Sequence, residues 1–590
     1  MRAMRWLVDV AVVVAVCSIP VALCRAAPAL AAESAPVDSA AFDQFSQRFL
    51  TDYWKAMPDN AISAGKFDGA ARLALPVPAE RARTLKFAQL WTQRLQGIDE
   101  STLTPLQRAD LAMMRNEVSS IQWNLTQLRS YEWNPSDANM SGALDALLNT
   151  EFAPLEQRLR IILQRIEQGP AYYRAARAGI VQPTREHTAL AISQLPGALA
   201  LLNDIDKAAQ RSQLTGSEKK HFARSLQKNR AAVTLFMTQL QTLLPSLNDR
   251  NSRSFRLGKT LYDAKFGYDI QSSYSAEETY QHALQSKEAL LEKMAGLTDT
   301  LWPKYLADVA KPAGRAPQIK MLIDKLSENH IPRTELFEEV RRQIPQLEAW
   351  VSAHDLVALD PSRPLIVRET PVYQRGIAGA SIDAPGPFQP MRPTYYNVTP
   401  IDQESPEQAE SFFREYNHWI LQILNIHEAV PGHYVQLIHA NKSPSIIKTV
   451  FGNGAMVEGW AVYGERMMLD SGYGGDTPEM WLMYSKWHLR SVCNTILDYS
   501  VHVLGMREAD ARDLMINQAF QSDNEASGKW RRVQLTAVQL TSYFSGYSEI
   551  MALREERRKP LGADFNLKAF HEQFLSYGAA PVRVIRALMQ

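Results

Sequence analysis

Residues 154–166, PLEQRLRIILQRI, carry the pattern that decides the fold class. Their leucines and isoleucines recur every three or four positions, which is the periodicity of an amphipathic helix. Residues 231–244 repeat this pattern, and valine-rich alternating runs are few between 34 and 356. The sequence therefore predicts a mainly α protein in which residues 33–356 form a helical scaffold.

Prolines divide the chain further. Pro170, Pro183 and Pro196 punctuate the scaffold, and we expect them to interrupt its helices. Eight of the 32 prolines fall within residues 357–404, where long helices cannot form. Helix is expected to return at residues 405–408, SPEQ, because serine, proline and glutamine stand there in the order of a capping box. Residues 405–590 then form a second helical region.

Two short pieces of the proline-rich segment look like strands, namely residues 365–368 (LIVR) and 394–398 (TYYNV). We expect a small antiparallel sheet that lines the cleft beside the functional helix. A strand in that place can bind an extended substrate, which makes Tyr395 and Tyr396 candidate substrate-binding residues. The alternative is a proline-rich linker between two domains.

The amino terminus has the features of an export signal. Arg2 and Arg5 precede an apolar run from 6 to 23, and residues 29–31 (ALA) have the small side chains that precede a cleavage site. We expect residues 1–32 to be a signal peptide that is cleaved near Ala31, and the protein to be periplasmic or secreted. No later run of about eighteen apolar residues occurs, so no membrane span is expected after signal removal.

The overall charge gives no indication of a polyanionic partner. The 64 basic and 63 acidic side chains leave a formal net charge of +1. Nucleic acid is therefore not an expected partner.

Residues 427–433, HEAVPGH, are the strongest indication of function. A hydrolytic zinc site uses three imidazole or carboxylate ligands and keeps a position for water, and His427, His433 and Glu458 are such donors. Glu428 is placed like the general base that takes a proton from that water. The sequence thus predicts one zinc ion per chain and hydrolysis of an amide.

The spacing of the two histidines requires a break in the helix. Six residues correspond to about 600° of rotation, so on an unbroken helix His427 and His433 would diverge by about 120°. Pro431 lacks an amide hydrogen and Gly432 accepts unusual backbone angles, so a bulge or break there can return His433 to the metal. The alternative is that Pro-Gly simply ends a helix after a buried His-Glu pair. Six of the twelve histidines fall between 418 and 502, which favours a site.

Several further residues are candidates for supporting roles. Glu465 lies seven residues after Glu458 and so on the same helix face, which suggests a group that orients a ligand, or else an ordinary exposed carboxylate. Asp498, four residues before His502, is a similar candidate for a group that orients a neighbouring side chain. A phenol or imidazole can stabilise an oxyanion and an arginine can bind a carboxylate. The candidates of these two kinds are Tyr543 and His502 as catalytic residues, and Arg490, Tyr547 and Arg554 as substrate-binding residues.

Five motifs together resemble the bacterial domain of unknown function 885 family. In order they are IHEAVPGHYVQ from Ile426, EGWAVYGE from Glu458, DYSVHVLG from Asp498, YFSG from Tyr543 and LSYGAAP from Leu575. The family is thought to be related to the helical gluzincin peptidases. The resemblance implies a large helical metallopeptidase-like fold with a deep central cleft, zinc ligation by His427, His433 and Glu458, and Glu428 as the base.

The chain departs from the family pattern at two places. Tyr434 stands where relatives often carry a second histidine, and residues 537–539, AVQ, replace a more usual Pro-Gly-Gln. Neither change affects the expected ligands.

These observations lead to one expected function and two alternatives. We expect an exported zinc peptidase that acts on short peptides, its substrate partners. One alternative is a non-catalytic exported binding or assembly protein that keeps an inactive peptidase fold, and the other is a zinc hydrolase of non-peptide amides. Metal content and a substrate screen distinguish the three, while side-chain preference, exo or endo cleavage and oligomeric state are not encoded in any motif.

Overall fold

A computed structural model describes residues 39–371, 379–402 and 404–590. The expected signal peptide and its cleavage site near Ala31 lie outside these residues. The described chain is mainly α, as predicted, with one small sheet. Among its helices, none has both the length and the apolar character of a membrane span.

The first half of the described chain forms twelve α-helices, joined by loops and short 3₁₀ or π turns. They are α1 (Ser39–Ala56), α2 (Pro58–Ser63), α3 (Pro78–Gln96), α4 (Pro105–Trp123), α5 (Ser141–Asn149), α6 (Leu155–Gly179), α7 (Arg185–Arg211), α8 (Gly216–Leu243), α9 (Gly258–Asp269), α10 (Ala276–Tyr305), α11 (Arg315–Leu326) and α12 (Leu336–Ala353).

The described residues after the sheet form eleven more α-helices. They are α13 (Pro406–Glu415), α14 (His418–Glu428), α15 (His433–Ala440), α16 (Ile446–Val450), α17 (Gly454–Asp470), α18 (Pro478–His502), α19 (Glu508–Asp513), α20 (Asp523–Leu535), α21 (Ser542–Leu561), α22 (Leu567–Ser576) and α23 (Val582–Leu588).

The sequence patterns predict several of these helices well. Residues 155–166 begin α6, directly after Pro154, and residues 231–243 form the last part of α8. The capping box at Ser405 is confirmed, since its hydroxyl accepts from the Gln408 amide while the Gln408 side chain accepts from the Ser405 amide.

Two of the three scaffold prolines do not end helices. Pro170 lies inside α6 and Pro196 inside α7, whereas Pro183 lies between these helices. Buried residues precede and follow each internal proline, so packing of the whole helix outweighs the lost hydrogen bond, an effect of about 3 kcal/mol.

The sheet contains β1 (Leu365–Glu369), β2 (Ala380–Asp383) and β3 (Thr394–Val398). Both predicted strands are present, but the sheet is mixed and not antiparallel: β3 lies in the middle, parallel to β1 and antiparallel to β2. The chain reverses direction before and after β2, which makes β1 and β3 parallel. The largely buried β3 takes the central position, where both of its edges are hydrogen-bonded.

The described residues pack around two large hydrophobic cores. One joins α1, α3 and α4 to the helices from α10 onward and includes β3. The other is formed mainly by α5 to α8. The first core holds the site, so amino-terminal helices and carboxy-terminal helices together build its surroundings.

Candidate metal centre

The helix that carries His427 breaks where the sequence predicts. α14 ends at Glu428 and α15 begins at His433, with residues 429–432 between them. The Ala429 amide still bonds to the Asn425 carbonyl, but the Gly432 amide reaches back to the carbonyl of Ile426 at 3.0 Å. The chain therefore folds back tightly, and His433 is presented from the start of a new helix.

Gly432 makes this tight connection possible. A Cβ atom at this position would lie 1.8 Å from the carbonyl oxygen of His427 and 2.4 Å from that of Ile426. No side chain fits there without a shift of the backbone. Position 432 therefore requires glycine, because its Cα lies too close to the carbonyls of Ile426 and His427 to leave room for a Cβ atom.

A second glycine contact brings Glu458 to the site. α17, which carries Glu458, packs along α21. A Cβ atom on Gly459 would lie 2.4 Å from the backbone of Gly546, and one on Gly546 would lie 1.8 Å from the Ala455 carbonyl oxygen. The backbones of the two helices are in contact. Glu458 of α17 and Tyr543 of α21 are therefore both brought close to His427.

The three predicted donors converge. The Oε2 atom of Glu458 lies 3.6 Å from Nε2 of His427 and 3.5 Å from Nε2 of His433. One ligand atom from each residue lies within 4.8 Å of the others, which makes them a candidate metal-binding group.

These distances fit a small divalent cation. Ligands at about 2.0–2.1 Å from a tetrahedral zinc ion lie about 3.4 Å from one another. The Oε2 atom of Glu458 is also buried and forms no hydrogen bond within the described residues. A bound cation would satisfy this oxygen, so the donor set fits the expected metal.

His427 is oriented by a buried carboxylate. Its Nδ1 atom lies 2.7 Å from Oε1 of Glu465, and the indole of Trp487 donates to the same oxygen at 3.0 Å. Glu465 is 0% exposed, which excludes the alternative of a surface carboxylate. Such a partner holds the imidazole so that Nε2 faces the other two candidate ligands.

The charges of the cluster act strongly on one another. Burial disfavours the imidazolium of His427, but the neighbouring carboxylates of Glu458 and Glu465 outweigh it and raise the pKa of His427 to about 10. Burial likewise opposes ionisation of Glu458, yet the two imidazoles hold its pKa below the ordinary value. The pKa of Glu465 is raised, mainly by burial. A cation and a proton therefore compete for the same imidazole lone pair.

Glu428 lies at the end of α14 and is half-buried. Its charge acts on His427 and on Tyr396. The hydroxyl of Tyr396 donates to Asn425 at 2.7 Å, and the Asn425 amide donates to Gln343 of α12 at 2.7 Å. This buried chain of hydrogen bonds ties β3 and α12 to the metal helix.

Tyr396 is 0% exposed, so it supports the site and cannot contact a substrate. Neighbouring residues of a strand point to opposite faces, and Tyr395 accordingly lies outside, with the guanidinium of Arg368 3.8 Å from its ring. The predicted pair therefore divides into one core residue and one half-exposed residue.

Tyr543 lies at the cluster, as expected for an oxyanion donor. Its ring lies 6.4 Å from that of His427, nearly parallel to it, and Arg532 donates to its hydroxyl at 3.0 Å. Burial, followed by the charge of Glu458, raises the pKa of Tyr543 to about 12. The phenol therefore keeps its proton at neutral pH and remains a donor.

Two cations near the site were missed by the sequence analysis. Arg532 bonds to Gln539 and Tyr543, and Lys529 is buried one turn earlier on α20. Burial lowers the pKa of Lys529, and the nearby charges of Arg490 and Arg532 lower it further. The spacing of Lys529 and Arg532 on one helix face was the available signal, but no motif distinguishes them from surface residues.

Asp498 forms its hydrogen bonds with the turn before α21 and forms none with His427, His433 or Glu458. Its two oxygens accept from the amides of Val538 at 3.1 Å and Leu540 at 3.0 Å. Burial raises the pKa of Asp498 to about 7. Val538 has a left-handed φ of 71°, at the position where the family pattern has glycine. The aspartate therefore holds an unusual turn that sets the start of the helix carrying Tyr543.

His502 is not brought to the cluster. It ends α18, fifteen residues after Trp487, or about 22 Å along the helix axis. Its Nε2 atom lies within hydrogen-bonding distance of the carbonyls of Val533 and Thr536, and its ring is buried. These contacts give it a structural role, in contrast to the predicted catalytic one.

The three predicted substrate-binding residues on α18 and α21 already have protein partners. Arg490 pairs with Glu525 at 2.9 Å, and Arg554 pairs with Asp470 at 3.3 Å. Tyr547 lies one turn after Tyr543, with its ring 4.4 Å from that of His488. A role in substrate binding stays a prediction for these residues.

The six histidines between residues 418 and 502 do not all lie at one site. His427 and His433 meet at the cluster, while the others of this stretch lie elsewhere. His439 contacts the carbonyl of Ala358, His488 is buried against Tyr484, and His418 stacks edge-on with Trp419. Proximity in sequence therefore overstated the size of the site.

A cavity of about 500 Å³ adjoins the cluster and is lined by Glu458, Gln539 and Ser542. Its other walls come from α1, α2, α4, the residues that end and follow α9, and residues 450–455. This volume is typical of small-molecule and peptide sites. The described part of 357–404, which we expected to line the cleft, contributes nothing to these walls, because β3 packs into the core behind α14.

The chain is a mainly α protein with a candidate metal-binding group of two histidines, on either side of a helix break, and one glutamate from α17. The chain belongs to a family described as bacterial protein of unknown function (DUF885), whose pattern matches residues 58–589.

Two solved structures are similar over nearly their whole length. A candidate lipoprotein of unknown function from Shewanella oneidensis is 49% identical, with a TM-score of 0.84 over 93% of this chain and 99% of that one. A candidate lipoprotein from Colwellia psychrerythraea is 17% identical, with a TM-score of 0.75 over 93% of this chain and 98% of that one, and shows the fold alone. No curated protein matches the chain. None of these descriptions names an activity, so the relation to gluzincin peptidases stays a prediction.

Proposed function

We propose that this protein is an exported zinc-dependent peptidase that hydrolyses amide bonds of short peptides. The observation that carries the proposal is the convergence of two imidazole nitrogens and one carboxylate oxygen, from His427, His433 and Glu458, beside a cavity. Three ligands with one position left for water are the donor set of hydrolytic zinc sites, whereas structural zinc sites use four protein ligands. When bound, zinc supplies a Lewis acid that lowers the pKa of water and polarises a carbonyl.

The remaining residues have roles that follow from their positions. Glu428, next to His427, accepts a proton from the attacking water and delivers it to the departing nitrogen. Tyr543 donates a hydrogen bond to the oxyanion that develops on the substrate carbonyl, and Arg532, bonded to its hydroxyl, strengthens that donor. Glu465 holds the ring of His427 and does not itself touch the substrate.

The test is zinc content together with peptide hydrolysis, measured on the wild-type chain and three variants. We expect about one zinc per chain, lost in His433→Ala and kept in Glu428→Gln. Glu428→Gln should hydrolyse a short-peptide library about 10²- to 10⁴-fold more slowly. The matched control is Glu338→Gln, the same change on a side chain that is 78% exposed on α12, which should leave both quantities unchanged.

Other outcomes select the alternatives. A wild-type chain without zinc, even after reconstitution, would refute the peptidase and favour a binding or assembly protein. Bound zinc with hydrolysis of non-peptide amides alone would favour the other hydrolase. Equal activity of wild type and Glu428→Gln would refute the role of the glutamate.

We propose export on the basis of the amino-terminal signal pattern, and the description of the similar proteins as candidate lipoproteins supports it. Cell fractionation with amino-terminal sequencing tests this. We expect the mature chain outside the cytoplasm, beginning just after Ala31. A cytoplasmic chain that retains residues 1–32 would contradict it.

A further inference from the structure

The cavity beside Glu458 is lined by acidic and not basic side chains. Its charged residues are Glu117, Asp269 and Glu458, and among the described walls there is no lysine, arginine or histidine. Asp269 is paired with Lys265 on α9, and Glu458 faces two imidazoles. Glu117 is thus the remaining carboxylate on these walls, and it forms no ion pair with the described residues.

Glu117 is held in place by neutral neighbours. Its Oε1 atom accepts from the Tyr53 hydroxyl at 3.0 Å, and that hydroxyl accepts from the Asn60 amide at 2.7 Å. These contacts fix the position of the carboxylate but bring no positive charge. Burial raises the pKa of Glu117, the sign of a carboxylate that is poorly solvated and lacks a cation. A bound ammonium group would supply the missing charge.

We propose that Glu117 binds a protonated amino group of the substrate, supplied by its amino terminus or by a lysine side chain. The inference rests on the proposed function, because it specifies which peptides the site accepts. An ammonium group at Glu117 and a carbonyl at the proposed metal centre would hold the substrate at two points of one cavity.

Glu117 and Glu458 line the same cavity, so one short peptide can contact both of them. An extended peptide advances about 3.3–3.6 Å with each residue, so the cleaved bond is expected only a few residues from the amino group. Blocked peptides without lysine should then be poor ligands.

The test is calorimetric binding to the mature chain that carries Glu428→Gln, so that the ligand is not consumed. The probes are trialanine, N-acetyl-trialanine and N-acetyl-lysyl-alanyl-alanine. We expect trialanine or the lysine peptide to bind at least tenfold more tightly than N-acetyl-trialanine. Tighter binding of trialanine would identify the amino terminus as the group bound by Glu117, and tighter binding of the blocked lysine peptide would identify the lysine side chain. Adding Glu117→Gln should abolish this preference, while adding Glu338→Gln should not.

Glu117→Asp keeps the negative charge but withdraws it by one methylene, so it should weaken the preference and provides a second, more conservative variant if Glu117→Gln is unstable. Equal binding of all three probes, binding of none, or a preference that persists without the Glu117 carboxylate would overturn the inference. Zinc content and hydrolysis by the wild-type chain test the proposed function separately. Amine preference without hydrolysis refutes only the peptidase, and hydrolysis without amine preference refutes only the role of Glu117.

Discussion

Replacing Gly432 by alanine should destroy the metal centre without touching a metal ligand. The new Cβ atom would begin 1.8 Å from the His427 carbonyl oxygen, whereas Cβ contacts under 3.0 Å are essentially never seen. The backbone segments around His427 and Gly432 must therefore separate by more than 1 Å in total. Metal–ligand distances tolerate changes of only about 0.2 Å. Because His433 is the next residue, we expect it to move out of the range in which it can share a cation with His427.

We expect Gly432→Ala to lower zinc affinity at least 100-fold, or about 2.7 kcal/mol. Zinc affinity is measured by competition with a chelator, and folding by circular dichroism on the same sample. The control is Gly528→Ala on α20, where a Cβ atom meets nothing within 4 Å and which should bind zinc like the wild type. A folded Gly432→Ala chain whose zinc affinity is within threefold of the wild type would refute the proposed geometry.

Three further predictions concern charge and stability. Glu465→Gln should weaken zinc binding about 10- to 100-fold in the same competition assay, because the carboxylate orients His427, and an unchanged affinity would contradict that role. Burial lowers the pKa of His571 to about 4, so the folded state keeps it neutral while the unfolded chain binds a proton below about pH 6.5. The free energy of unfolding of the zinc-free chain should therefore fall as the pH drops from 6.5 to 4, by up to about 3 kcal/mol from this residue, and urea unfolding that is flat over this range would contradict it. Lys448→Met should cost about 3–5 kcal/mol in urea unfolding because it leaves the buried Asp110 unpaired, and the double variant with Asp110→Leu should recover most of the loss; equal stability of the single and double variants would contradict this.

The part of the site that could be predicted from sequence is the part set by local chemistry. HEAVPGH contains two side chains that can ligate a metal and, between them, the residues that break a helix, so the return of His433 follows from the backbone properties of Pro431 and Gly432. Glu465 could be predicted because it lies two helical turns from Glu458 on one helix. In both cases the information lies within a few turns of the chain.

Features set by distant contacts could not be predicted in this way. Glu117 reaches the cavity because α4 packs in the same core as the carboxy-terminal helices, more than 300 residues later in the chain. The different fates of Tyr395 and Tyr396 depend on which face of β3 packs against α14. His502 belongs to one of the family-like motifs, but in the structure its ring contacts the carbonyls of Val533 and Thr536 and lies away from the candidate metal-binding group.

The break between α14 and α15 has a consequence for how metal affinity is tuned in this protein. When two histidines lie on one helix, the geometry of that helix fixes the distance between them, and the two side chains move together. Here it depends on the angle between two helices, and α15 is held by its packing against α17 and α22. Substitutions in α22, well away from any ligand, can therefore adjust the distance between the donors. The affinity of the proposed metal site thus depends on the surrounding core and can change gradually while His427, His433 and Glu458 stay the same.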